Sequence, residues 1–172
     1  MNTNQLKRFA QAARNKLIEQ VGAKLQFVLT HDTAELRGKQ EALKKLKEAQ
    51  KNLGDEALIE KVAYTWFNRL VALRFMDVND YQPLGLQVIS PATAGGYVPA
   101  LLEAAHAGQL PEDLVVNTAE INDILDGKTG AANPDNEVFR QLLVAACNEL
   151  NEIFPFLFEK INDYTELLLP DD

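Results

Sequence analysis

The stretch DEALIEKVAYTWFNRLVALRFMD, residues 55–77, holds the only tryptophan of the chain. Six of its apolar residues recur at the spacing of one helical face: Ile59, Val62, Ala63, Trp66, Leu70 and Leu73. Four more widen that face until little polar surface is left: Leu58, Phe67, Val71 and Phe75. A helix that is apolar on most of its circumference is typical of the middle of a bundle. The stretch therefore predicts a central helix with the other helices packed around it.

Further helical patterns lie on both sides of this stretch. Apolar spacing predicts helices over residues 3–21, 34–51, 99–107, 118–126 and 135–154, with a break or weak point at Gly22 and a kink or end at Pro155. Prolines and glycines between residues 79 and 96 exclude a long helix there. We predict an all-α fold, an irregular bundle of about seven helices around the central helix at 55–77. Residues 1–172 would form one domain.

Charge is distributed unevenly along the chain. Residues 1–51 carry 11 Lys and Arg against 5 Asp and Glu, and residues 52–172 carry 6 against 20, which gives the net charge of −8. The predicted helix at 34–51 bears six of the basic residues: Arg37, Lys39, Lys44, Lys45, Lys47 and Lys51. Such a row can neutralise DNA phosphates without reading base sequence. These six are our candidates for DNA-backbone contact, and an ordinary solvated helix face is the alternative, since no aromatic residues are interleaved to stack on bases.

The sequence contains no complete motif for catalysis, cofactor binding or metal binding. DGKTG at residues 126–130 ends like a phosphate-binding loop, but Asn122 stands where that loop needs a glycine. NPDN at residues 133–136 begins like the Asn/Asp-Pro-Pro-aromatic motif of amino-methyltransferases, yet the second proline and the aromatic are missing. His31 and His106 have no Cys or Glu at ligand spacing. We therefore predict no catalytic, cofactor-binding or metal-binding residue in this chain.

Two observations concern the cellular compartment. No apolar run is long enough to span a membrane, and residues 1–16 lack the apolar core of a secretory signal. We expect a cytoplasmic protein without a membrane partner. The single cysteine, Cys147, lies in an apolar helical pattern, which predicts a buried thiol.

Three parts of the chain resemble a known family. Residues 62–80, VAYTWFNRLVALRFMDVND, the opening MNTNQLKRFAQAARNKLIEQV and the closing FEKINDYTELLLPDD are similar to the N-terminal region of PglX. PglX is the adenine-specific DNA methyltransferase of the BREX phage-exclusion systems. The resemblance implies that the chain is the helical N-terminal part of a longer enzyme that methylates adenine in double-stranded DNA with S-adenosylmethionine. The family's catalytic and cofactor-binding motifs have no match here, so the catalytic domain is absent and the chain alone is expected to be inactive.

The resemblance leaves two roles open. The chain could contribute DNA-backbone contact and scaffolding to the methyltransferase. Alternatively, it could be a protein-interaction module that docks the enzyme to other BREX proteins or to a phage inhibitor. Asn68, Arg69 and Arg74 are polar residues on the apolar helix. We expect them to tie that helix to a neighbouring domain, such as the enzyme's own methyltransferase domain, or to buried carboxylates, rather than to touch substrate.

Overall fold

The computed structural model describes residues 3–159, 161 and 164–170. Their regular structure consists of α1 Thr3–Thr30, α2 Ala34–Gly38, α3 Gln40–Leu53, α4 Asp55–Val78, α5 Ala100–His106, α6 Thr118–Leu125, α7 Pro134–Ile153 and a 3-10 helix at Tyr164–Leu168. The described residues contain no β-strand. The predicted all-α class with about seven helices is confirmed.

Two of the predicted helix boundaries are wrong. α1 continues through Gly22 without a break. A glycine lowers helix stability by only about 1 kcal/mol relative to alanine, which the packing of neighbouring residues can offset. The predicted helix at 34–51 is instead two helices, because Lys39 takes a non-helical conformation (φ −116°, ψ 40°) between α2 and α3.

The chain forms two compact units, Met1–Asn68 with Ile161–Asp172, and Arg69–Lys160. We call them unit 1 and unit 2. α4 contributes its residues up to Asn68 to unit 1 and the remainder to unit 2.

Unit 1 is built around the first half of α4 and the 3-10 helix. Trp66 is fully buried, and its indole Nε1–H donates a hydrogen bond to the carbonyl of Thr165 at 3.0 Å. The 3-10 helix packs against both α1 and α3. The core includes Val21, Leu25, Val28, Leu36, Leu46, Leu58, Val62, Ala63, Trp66, Leu167 and Leu168. The 3-10 helix is thus an integral part of this core.

Unit 2 packs α5, α6 and α7 against one another. Asparagine side chains begin two of these helices: Asn117 accepts from the Glu120 N–H and Asn133 from the Asn136 N–H, both at 3.2 Å. The core includes Leu73, Met76, Val88, Leu101, Ile121, Ile124, Val138, Leu142, Leu143, Ala146, Cys147, Leu150 and Phe158. Burial raises the pKa of Cys147 to about 12, which agrees with the predicted buried thiol.

The expectation of an apolar helix enclosed on most of its circumference is not confirmed for α4. Leu73 and Met76 point into unit 2, whereas Val71, Phe75 and Val78 are exposed. The exposed residues lie on the face opposite the buried ones, because residues at i, i+4 and i+7 share one side of a helix. α4 is therefore apolar on both faces in unit 2, but only one face is buried within that unit.

Candidate functional site

The six predicted DNA-contact residues divide into two groups in the structure. Arg37 Nη1 lies 3.0 Å from Asp32 Oδ2. Lys39 Nζ lies 3.5 Å from a carboxylate oxygen of both Glu35 and Glu166. The two side chains on and beside α2 are therefore already paired with carboxylates. Contact with DNA would require them to exchange these partners.

The other four lysines all lie on α3 and are exposed. Lys44, Lys47 and Lys51 follow at i, i+3 and i+7, which places them on one side of the helix. Gln40, Leu43 and the acidic Glu48 lie on the same side of α3. We call Lys44, Lys47 and Lys51 the lysine face.

No carboxylate oxygen among the described residues lies within 4.0 Å of the lysine-face ammonium groups or of Lys45. Lys45 is turned about 100° around the helix axis from Lys44 and lies beside the face rather than on it. The lysine face spans about 10 Å along the axis, at roughly 1.5 Å per residue. A DNA duplex presents several phosphates over that length. The geometry is thus that of a short row of available cations.

The support beneath the lysine face comes from the core of unit 1. Leu46 is fully buried on the opposite side of α3, and the 3-10 helix packs against α3 with Leu167 and Leu168 buried. Thr33 begins α2 by accepting a hydrogen bond from the Leu36 N–H at 3.2 Å. The lysines therefore project from a helix whose other side is held in place.

The residues predicted to face a neighbouring domain have different environments. Arg69 is buried, and its Nη2 donates a hydrogen bond to the carbonyl of Glu159 at 2.9 Å within unit 2. Arg74 is exposed and donates to the Ser90 hydroxyl. Asn68 is half-buried at the end of unit 1. Of the three, Arg74 is the most accessible to a partner, and the interdomain role of the set stays a prediction.

Asp77 organises the loop that follows α4, and sequence reasoning did not identify it. Its buried carboxylate accepts the backbone N–H groups of Val88, Ile89 and Ser90 at 3.0, 3.0 and 2.8 Å. Gln82 Nε2 also donates to it, at 2.6 Å. An aspartate at the end of an apolar helix, just before a loop rich in Pro and Gly, is the signal that could have indicated this anchor.

The lysine of the DGKTG turn, Lys128, is held by two carboxylates. Lys128 Nζ lies 2.9 Å from both Asp123 Oδ1 and Asp126 Oδ2, and these carboxylates raise the pKa of Lys128. The lysine is thus paired with one acidic side chain of the turn, Asp126, and one of α6, Asp123.

Neither a metal-binding cluster nor a membrane-spanning helix is found among the described residues. No group of three or more His, Cys, Asp or Glu among them could hold a metal ion. None of the described helices combines the length and the apolar character needed to cross a bilayer.

Comparison with known proteins identifies two homologues. The chain is 33% identical over 205 aligned positions to the adenine-specific methyltransferase BrxX of Escherichia coli O9:H4 (strain HS), in an alignment that covers 100% of this chain and 16% of that protein. It is 38% identical over 113 positions to the adenine-specific methyltransferase PglX of Lacticaseibacillus casei (strain Zhang), covering 64% of this chain and 9% of that protein. No protein-family model matches the chain. The predicted resemblance is confirmed, and the chain is homologous to a small part of each methyltransferase.

Proposed function

We propose that the chain is the helical N-terminal module of a BREX adenine-specific DNA methyltransferase and that it contacts the DNA backbone through the lysine face. This proposal rests on the homology to part of BrxX and PglX. The whole enzyme would act on double-stranded DNA and use S-adenosylmethionine bound outside this module. The module would hold substrate and support the enzyme rather than carry out the chemistry.

The single observation that supports DNA contact is the availability of the lysine face. Its three ammonium groups are exposed on one side of α3, and no described carboxylate lies within 4.0 Å of them. Arg37 and Lys39, by contrast, are paired with carboxylates. Lysines without a partner neutralise phosphates and release counterions, which gives affinity that is independent of base sequence.

The test is a fluorescence-anisotropy titration of a labelled DNA duplex with the 172-residue chain. We expect binding at low salt and at least about tenfold weaker binding by the triple variant Lys44→Ala/Lys47→Ala/Lys51→Ala. The matched control is Lys7→Ala/Lys16→Ala/Lys61→Ala, which removes the same charge from exposed positions of unit 1 on α1 and α4. Equal weakening by the two variants would show a general charge effect and would contradict a specific lysine face.

The second candidate function, a protein-interaction module, is favoured by a different observation. Val71, Phe75 and Val78 are exposed on α4 in unit 2. Exposed apolar patches of this kind mark contact surfaces more often than chance. Other BREX proteins or a phage inhibitor would then be the partners, and a pull-down from defence-system extracts with a Phe75→Asp control would test this.

A further inference from the structure

The outer face of α4 in unit 2 presents a continuous group of apolar side chains. Val71, Phe75, Val78 and Tyr81 are 49%, 58%, 58% and 62% exposed. The first three lie at i, i+4 and i+7 on one side of the helix. The Tyr81 ring lies 6.0 Å from the Phe75 ring at an interplanar angle of 57°. We call these four residues the apolar patch.

The end of α4 places Tyr81 over Phe75. Asp80 adopts a left-handed conformation (φ 58°), and the Tyr81 N–H donates to the Met76 carbonyl at 2.9 Å. This is the helix-ending arrangement in which the residue after the left-handed position turns back toward the last helical turn. The Tyr81 side chain therefore lies on the outer face of α4 instead of in the core.

The backbone beneath the apolar patch is held from the inner side of α4. The Asp77 carboxylate receives the N–H groups of Val88, Ile89 and Ser90, and Leu73 and Met76 are buried in the same turns. Side chains on a fixed backbone lose little conformational freedom on binding, which favours a contact surface that exists before its partner arrives. Phe and Tyr are also among the residues enriched at the centre of interfaces.

The net charge of unit 2 indicates which kind of surface would bind to the apolar patch. Unit 2 contains 13 Asp and Glu against 5 Lys and Arg, a net charge of −8. A second copy docked through the same face would bring two acidic units together, which like-charge repulsion opposes. An apolar surface bordered by basic side chains would be attracted instead.

The size of the homologues indicates where such a surface lies. The aligned region is 16% of one relative and 9% of the other, so most of each methyltransferase lies outside it. We propose that the apolar patch docks, within the same polypeptide, onto an apolar surface with a basic border in the remainder of the methyltransferase. This inference rests on the proposed identity of the chain as a module of that enzyme. It does not depend on DNA contact by the lysine face.

The test is photo-crosslinking in the full-length methyltransferase that contains this chain. The photoreactive amino acid p-benzoylphenylalanine is placed at position 75, and crosslinked peptides are identified by mass spectrometry in a mixture of light and heavy isotope-labelled protein. We expect crosslinks between position 75 and peptides outside residues 1–172. Both peptides of each crosslinked pair should carry the same isotope label, because an intramolecular contact joins two segments of one molecule. The control places the same probe at position 156, where Phe156 is exposed in unit 2 outside the patch.

A second variant makes the result specific to the patch. With the probe at position 75, Val71→Asp/Val78→Asp is expected to lower the crosslink yield at least about fivefold. In the 172-residue chain the same pair should leave the thermal unfolding midpoint nearly unchanged, because both side chains are exposed.

Three results would overturn docking: crosslinks that join light to heavy protein, crosslinks confined to residues 1–172, and equal yields from positions 75 and 156. Loss of DNA binding by the lysine-face variant is measured separately. Failure of the docking proposal can therefore be distinguished from failure of the proposed DNA contact.

Discussion

The indole Nε1–H of Trp66 donates a hydrogen bond to the backbone carbonyl of Thr165 at 3.0 Å, across 99 positions of sequence. Trp66 lies in the stretch that carries the family resemblance, and Thr165 lies in the 3-10 helix that packs against α3. The hydrogen bond therefore connects the buried face of α4 to the helix that supports the lysine face. α3 is thus positioned by tertiary contacts with the 3-10 helix as well as by its local sequence.

Replacing Trp66 with phenylalanine should destabilise unit 1. The change removes the hydrogen bond to Thr165 and leaves space in a fully buried position, which we expect to cost about 1–3 kcal/mol. Urea unfolding followed by circular dichroism measures the loss. Tyr64→Phe, at an exposed position of the same helix, is the control and should leave stability within about 0.5 kcal/mol. An unchanged unfolding midpoint in Trp66→Phe would contradict this account of the core.

Asp77→Asn should destabilise unit 2 by about 2–3 kcal/mol, because charge-assisted hydrogen bonds to three backbone N–H groups are lost or weakened. The amide would also place an N–H₂ group against these donors. Asp80→Asn removes the same charge three residues later, at an exposed position whose left-handed conformation asparagine tolerates. Thermal unfolding of both variants compares them directly. Equal stability would mean that the carboxylate does not anchor the loop.

The buried thiol of Cys147 should be protected from alkylation at pH 8 in the folded chain and react fully after unfolding. Burial raises the pKa of this thiol from 9.0 to about 12. Between these two values the thiol keeps its proton in the folded chain and loses it in the unfolded chain. The contribution of Cys147 to stability is therefore complete below pH 9 and is lost as pH rises from 9 to about 12.

The alkaline effect is best measured as a difference between the wild type and Cys147→Ala, since lysines and tyrosines titrate in the same range. The stability advantage of the wild type should shrink with rising pH by at most about 1.4 kcal/mol per unit. A constant difference from pH 8 to 11, or rapid alkylation of the folded chain, would show that the thiol is accessible.

Gly22→Ala should stabilise the chain by about 0.5–1 kcal/mol, because alanine lowers the backbone entropy lost in a helix interior. The added methyl group would lie 3.5 Å from Ile59 Cδ1, which is an ordinary van der Waals distance. A rise in the thermal unfolding midpoint is the expected result. A lower midpoint would show that α1 and α4 are too tightly packed here to accept a methyl group.

Local patterns predicted most of the helices, because each buries one apolar face and several begin at recognisable caps. α6 begins at Thr118, as predicted, after the cap residue Asn117, and α7 begins at Pro134, one residue before the predicted start. The interruption at Lys39 was not predicted, although Gly38 directly before it is a local signal for a weak point in a helix. The ion pair of Lys39 with Glu166 is a tertiary contact that no local pattern indicates.

The candidate site was predictable only in outline. The sequence identified six basic residues, but it could not separate Arg37 and Lys39, which have carboxylate partners, from the lysine face. Likewise, the sequence showed that apolar residues occupy most of the circumference of α4. We interpreted this as burial on all sides, which the exposed residues of α4 do not confirm. Amino-acid pattern does not distinguish a face buried in the core from one that is left exposed, as Phe75 is.

The dependence of DNA affinity on salt is the sharpest test of DNA contact through α3. We expect the wild type to bind duplex DNA at 50 mM salt, with log K falling linearly with log salt, as counterion release requires. The lysine-face variant should lower the magnitude of that slope by about 2–3, since each phosphate contact contributes roughly 0.9. Lys7→Ala/Lys16→Ala/Lys61→Ala should keep the wild-type slope. No binding at 50 mM salt, or the same slope in the wild type and the lysine-face variant, would contradict DNA contact through α3.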